Sequence, residues 1–214
     1  MQDMIRVAVD AMGGDNAPDE IIKGAMEAVA LREDIQVLLV GKEELIREKL
    51  KGYSYREQQV EVVNATEVIE TAEPPVAAIR TKKDSSIVVG LKLVKEEKAD
   101  AFVSAGSSGA VLAGGQLLVG RIKGVERPPL APLIPTEKGV SLLIDCGANV
   151  DARPSHLVQF AKMGSIYMEH VMGVKNPRVA IVNIGAEEEK GNALVKETYP
   201  LLKEPFTPPM WTIT

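Results

Sequence analysis

Four short stretches hold the residue types that bind anions: MGGDN (12–16), SAGSSG (104–109), DCGAN (145–149) and NIGAEEEKGN (183–192). Glycine lets a backbone approach a ligand closely, and successive free amides in such turns form anion-binding concavities. The residues this points to are Gly13, Gly14, Asp15 and Asn16 in the first stretch and Ser104, Gly106, Ser107, Ser108 and Gly109 in the second. Asp145, Gly147 and Asn149 stand out in the third, and Gly185 and Lys190 in the fourth. His156, in the first turn of the helix after DCGAN, is placed to reach the same hollow. The chemistry such a set could support is positioning of a phosphate and stabilisation of a developing oxyanion by a cation.

Each residue also has a plainer use. Asp145 and Asn149 are residue types that close loops. Lys190 could be a solvated charge where Glu187–Glu189 gain from a helix dipole. Cys146 could be a nucleophile, but a lone cysteine beside a buried strand is usually a small core residue, and no histidine lies next to it as a base. His170, at the far end of the same helix, suits a dipole partner or surface residue. Arg80, Lys82 and Lys83 form a local basic cluster that reads as a partner patch or as a solvated loop. Standard nucleotide templates do not fit: SAGSSGA lacks G-x-G-x-x-G spacing, and Gly41-Lys42 lacks the flanks of a P-loop.

Strand and helix alternate in the elements that must carry these loops. Strands are predicted at Ile5–Val9, Ile35–Val40, Val60–Val63, Ala101–Val103, Leu142–Asp145 and Val179–Val182. Helices are predicted after Pro18, over Glu43–Lys51, over Ile87–Lys98 with Ser86 as cap, over Gly109–Gly120, over His156–Met172, and over Ala193–Lys203 with a kink or stop at Pro200. Asn64 with Glu67 suggests a capping box for a short turn. Thr71–Ser86 and Arg121–Thr136 read as loop and extended connection, and the Gly114-Gly115 pair suggests close packing against another backbone. This alternation implies a mostly parallel sheet with helices on both faces, so all four loops are expected at one sheet edge, where open α/β sheets bind ligands.

Composition narrows the class. The 214 residues are 45% hydrophobic, 26% charged and only 4% aromatic, a palette of Val, Ile, Leu, Ala and Met suited to parallel sheets. A net charge of −5 argues against a broad nucleic-acid surface. One cysteine excludes an internal disulfide and fits a reducing cytoplasm, and neither a secretory signal nor a membrane-spanning run is expected.

The segments VAVDAMGGDNAP, SAGSSGA, GRIKGVERPPLAP, DCGANVDARPSHLVQFAKMGS and NPRVAIVNIGAEEEKGN, spread from the N-terminus to about Lys203, resemble the bacterial phosphate acyltransferase family known as PlsX. The resemblance implies a three-layer αβα fold like that of the isocitrate and isopropylmalate dehydrogenases, usually a homodimer. It implies that orthophosphate attacks the thioester of a long-chain acyl–acyl-carrier protein, giving acyl phosphate for phospholipid synthesis, with no cofactor or metal. The family's catalytic lysine falls on Lys190. Ser107-Ser108 departs mildly from the usual Asn/Ser-Thr. Family members continue well beyond this length, through a D-G-F-T-G-N motif and a membrane-touching hairpin. The chain is therefore expected to be one domain over 1–203 with an aberrant proline-rich tail at 204–214, incomplete at its C-terminus and weak or inactive. The alternatives are a fragment that only dimerises or binds carrier protein, and a phosphotransacetylase-like enzyme using acyl-CoA.

Overall fold

The core of the first half is laid down by three apolar, β-branched runs and one short strand: β1 (Ile5–Asp10), β2 (Ile35–Gly41), β3 (Val60–Asn64) and β4 (Ala101–Val103). The computed structural model describes residues 4–203, so the tail expected at 204–214 lies outside the described residues. The four strands form one all-parallel sheet in the order β3-β2-β1-β4, with Val7 of β1 opposite Val37 of β2 on one side and Ala101 of β4 on the other. Side chains alternate faces along β2. Val37 and Leu39 pack with Ile22, Met26 and Val29 of α1 (Asp19–Leu31) and with Ile46 and Leu50 of α2 (Glu43–Leu50). Ala8 and Val40 face the other way, onto Val89 and Leu93 of α4 (Ser86–Lys95). Helices therefore cover both faces, as the parallel arrangement requires, and each fully buried Val, Leu or Ile contributes about 1.5–3 kcal/mol. A third cluster joins Ile79 of α3 (Pro75–Thr81), Ile87 and Leu91 of α4, and Ala110 of α5 (Ser108–Gly114).

Several local expectations are corrected. Thr71–Ser86 is not all loop: Pro74-Pro75 starts α3, because proline at the first helical position lacks only an N–H that would be unbonded there anyway. The cap of α4 is Ser85, whose hydroxyl accepts from the Val88 N–H, and Ser86 is already helical. Asn64 ends β3 and accepts the Glu43 N–H at the start of α2 (3.2 Å), while Glu67 bridges to Ser85, so no capping box forms between them. After α5 the helix widens to a π segment over Gly115–Val119. A methyl on Gly114 would strike the Leu91 and Ile79 side chains, not a backbone, and one on Gly115 would meet nothing.

The chain divides into two compact units, Met1–Arg121 and Ile122–Thr214, of which the sheet just described belongs to the first. In the second, Leu133–Thr136 (β5) and Gly139–Leu142 (β6) form an antiparallel hairpin. α6 (Pro154–His170) packs on α7 (Ala193–Lys203), burying Phe160, Met168 and Leu202, and α7 continues through Pro200 to Lys203. The expected strands at Leu142–Asp145 and Val179–Val182 do not form. Leu142 ends the hairpin, and the Leu143 and Cys146 amides instead donate to the Pro132 and Leu130 carbonyls. The prolines at 128, 129 and 132 cannot donate to a ladder, so this pairing stays irregular. Among the described residues no helix is long and apolar enough to cross a membrane.

Candidate phosphate-binding site

In the first unit the chain builds β1, β2 and β3 in one direction, then returns to place β4 on the opposite side of β1. That reversal makes the carboxyl ends of β1 and β4 a topological switch point, the place where open α/β sheets bind ligands. Val9 lies opposite Val103, so the loop after β1 and the loop after β4 leave the sheet side by side. They contain Gly13–Asn16 and Ser104–Gly109. Two of the four expected loops thus share one sheet edge, and DCGAN and NIGAEEEKGN, in the second unit, do not follow strands of that sheet.

Asp10 joins the pair of loops. It ends β1 with 1% of its surface exposed. One carboxylate oxygen accepts the Met12 N–H at 3.1 Å, and the other accepts the Ser104 hydroxyl at 2.7 Å. Ser104 Oγ in turn accepts the Gly106 N–H at 3.0 Å. The contact is too close for side chains: a Cβ on Gly13 would lie 2.9 Å from both Asp10 Cγ and Gly106 N. Gly14 takes φ of +106°, a conformation that only glycine adopts readily.

This network sorts the predicted residues. The Ser104 hydroxyl and Gly106 amide are spent inside the site, and the Ser107 hydroxyl caps α5 by accepting the Ala110 N–H at 3.3 Å. Donors left for an anion come from the exposed stretch Gly14–Asn16 and from the Ser108 hydroxyl with the Ser108 and Gly109 amides, which open α5 without intrahelical acceptors. Asp15 is exposed in the first loop, where its charge opposes an anion. Sequence reasoning passed over Asp10 although its signal was present: a carboxylate directly closing a buried apolar run.

In the second unit Asp145 is saturated. Its oxygens accept N–H groups from Leu130 (2.6 Å), Ala148 (3.3 Å) and Asn149 (2.7 Å), and the Asn149 side-chain amide (3.2 Å). Asn149 also donates to the Pro128 carbonyl at 3.1 Å. These side chains close the loop, and Gly147, at φ of +90°, gives it its turn. Cys146 is exposed, which corrects the core reading of that residue. His156 is 3% exposed and fully engaged: its Nδ1 accepts the Arg153 N–H at 3.1 Å and its Nε2 faces Glu126 at 3.0 Å. The ring therefore serves the helix start and is not open to a ligand. Lys190 folds over Gly185 and pairs with Glu187 at 2.7 Å, which holds the Glu187 carboxyl below the usual carboxylate range. Lys190 stays half exposed, and Asn183 donates to its carbonyl at 3.0 Å.

The family model described as "Fatty acid synthesis protein" matches residues 5–209. The chain belongs to that family. A phosphate acyltransferase of Alkaliphilus oremlandii is 55% identical over 203 residues, and a putative phosphate acyltransferase of Clostridium perfringens 52% over 200. Each match covers 94% of this chain but only 60% and 59% of the relative, so the chain spans about three fifths of the family members it resembles. Among solved structures, the EutD phosphotransacetylase of Staphylococcus aureus aligns with TM-score 0.65 at 16% identity, over 94% of this chain and 64% of that one. A phosphotransacetylase of Streptococcus pyogenes aligns at 0.66 and 16%, over 94% and 65%. These two neighbours share the family fold, an α/β arrangement with a mostly parallel sheet.

Proposed function

We propose that the protein to which these residues belong transfers a long-chain acyl group from acyl-carrier protein to orthophosphate. The observation that carries this reading is the pair of glycine loops drawn together by Asp10 and Ser104 at the β1/β4 switch point, a built cradle for a small anion. A phosphate oxygen attacks the thioester carbonyl carbon, the C–S bond breaks, and the carrier thiolate leaves with the electron pair and takes up a proton. Phosphate is itself the nucleophile, so no covalent enzyme intermediate is needed, only orientation and charge stabilisation. Lys190 is assigned the cationic role on phosphate and the thioester oxyanion, by resemblance to the family.

The setting that goes with this reading is a cytoplasmic homodimer with the layering of the isocitrate and isopropylmalate dehydrogenases, feeding phospholipid synthesis without cofactor or nucleic acid. Peripheral membrane contact would belong to longer members. The test is to mix the protein with palmitoyl–acyl-carrier protein and phosphate and trap acyl phosphate with hydroxylamine. A longer version is expected to give a phosphate-dependent product that is lost in Lys190→Ala, and the 214-residue chain little or none. Product formed from acyl-CoA but not from acyl-carrier protein would favour the phosphotransacetylase-like alternative. Carrier protein retained without any turnover would favour the binding-only one.

A further inference from the structure

Asp10 is a buried carboxylate with no ion-pair partner among the described residues, at the switch point assigned to an anion. A negative charge there weakens phosphate binding through space, so its presence needs a compensating role. The donor inventory supplies one. The Met12 N–H and the Ser104 O–H both converge on this side chain, and the Ser104 oxygen must still accept from Gly106. Only an acceptor-only group with two oxygens satisfies all three at once. An asparagine would turn its NH2 either toward the Met12 N–H, setting donor against donor, or toward Ser104, leaving the serine proton without its acceptor.

Resting on the phosphate reading above, we propose that Asp10 is a positioning residue. Through Ser104 it locks the 104–109 loop against the 11–17 loop and sets the spacing at which their free amides meet one phosphate. The lock acts at the contact where Gly13 Cα comes within 3.2 Å of the Cβ position of Gly106, leaving no slack for a side chain on either loop. Asp10 touches no substrate: its effect travels through the Ser104 hydroxyl and the Gly106 amide.

A double-mutant cycle on phosphate binding tests this, with calorimetric titration of inorganic phosphate into the full chain as the readout. Asp10→Asn and Ser104→Ala should each weaken phosphate affinity about tenfold, and combining them should weaken it no further. Ser104→Thr, which keeps the hydroxyl, should stay within about threefold of wild type. Additive losses, or a gain in affinity in Asp10→Asn from relief of the like charge, would overturn the positioning role while the phosphate site stands. If Asp10→Asn does not fold, Ser104→Ala against Ser104→Thr still decides, since loss in the first without recovery in the second refutes the hydroxyl relay. If the wild-type chain shows no phosphate binding, the site reading itself fails and the proposal falls with it.

Discussion

Gly13→Ala probes the tightest contact in the molecule's candidate site. The backbone at Gly13 does not take a left-handed conformation, so alanine is excluded there only by space. Its Cβ would collide with Asp10 Oδ2, the oxygen that accepts from Ser104, and would sit 2.9 Å from Asp10 Cγ and from the Gly106 amide nitrogen, against the 3.4 Å of ordinary contact, so Asp10 must give way and the loops must part by at least about half an ångström. Overpacking of this kind costs about 1–3 kcal/mol. For a unit of this size that corresponds to a fall in melting temperature of roughly 4–12 °C. Because the opening separates the donors facing the anion, phosphate affinity should fall about tenfold, or about 1.4 kcal/mol. Thermal melts with and without phosphate read both effects. Gly24→Ala is the internal control: Gly24 is an exposed mid-helix residue of α1 with nothing within 4 Å, and the change should stabilise by up to about 1 kcal/mol. A Gly13→Ala protein that melts with wild type and responds equally to phosphate would refute the close-approach argument.

Further outcomes follow from other contacts. His156→Phe keeps a buried ring but removes the acceptor for the Arg153 N–H, and should destabilise the second unit by about 1–2 kcal/mol, measured by urea unfolding, whatever ligand is present. Lys82 donates to the Val68 carbonyl at 2.6 Å and pairs with Glu73 at 2.5 Å, so Lys82→Met should speed proteolysis within residues 68–73 while leaving the hydrophobic core intact. Hydrogen bonds from Thr66 hold the Asp84 carboxyl below the usual carboxylate range. Its folded value lies under its unfolded value, so this stabilisation is complete above the unfolded value and lost as pH falls through the folded one. Asp84→Asn should therefore unfold at lower urea than wild type at pH 7, and the two midpoints should converge below about pH 4. A gap that persists unchanged at pH 3 would sink that assignment.

The first unit was legible in the sequence because its strands are short β-branched, largely apolar runs, β2 being buried on both faces, and β4 was read to the residue at Ala101–Val103. The second was not. Leu142–Ile144 is as apolar as β1, but only Leu142 finds a ladder partner, the prolines upstream deny Leu143 and Ile144 one, and no property of the run itself reveals that. The loops at 12–16 and 104–109 could be found from glycine content. What could not be found was the division of labour inside them. That Ser104 spends its hydroxyl on Asp10 depends on a contact across 94 residues, whereas the Gly106 amide is lost to the Ser104 oxygen only two residues before it. His156 failed as a ligand partly for a comparable reason: its Nδ1 is used by the Arg153 N–H three residues before it, which the spacing allowed, but its Nε2 faces Glu126, which spacing alone does not place. α3 was missed because its proline pair was taken as a break instead of a start.

The place of β4 beside β1 has a bearing on how the protein is made. β1 meets β2 after about 30 residues of chain, but its other edge waits for residues about 94 positions away. Closing the longer loop costs about 1 kcal/mol more in chain entropy. On the ribosome, then, β1 and β2 zip early and carry an open flank until Ala101–Val103 emerges. The proposed anion cradle cannot exist before that moment, and phosphate added to a stalled nascent chain is expected to bind only the longer intermediates.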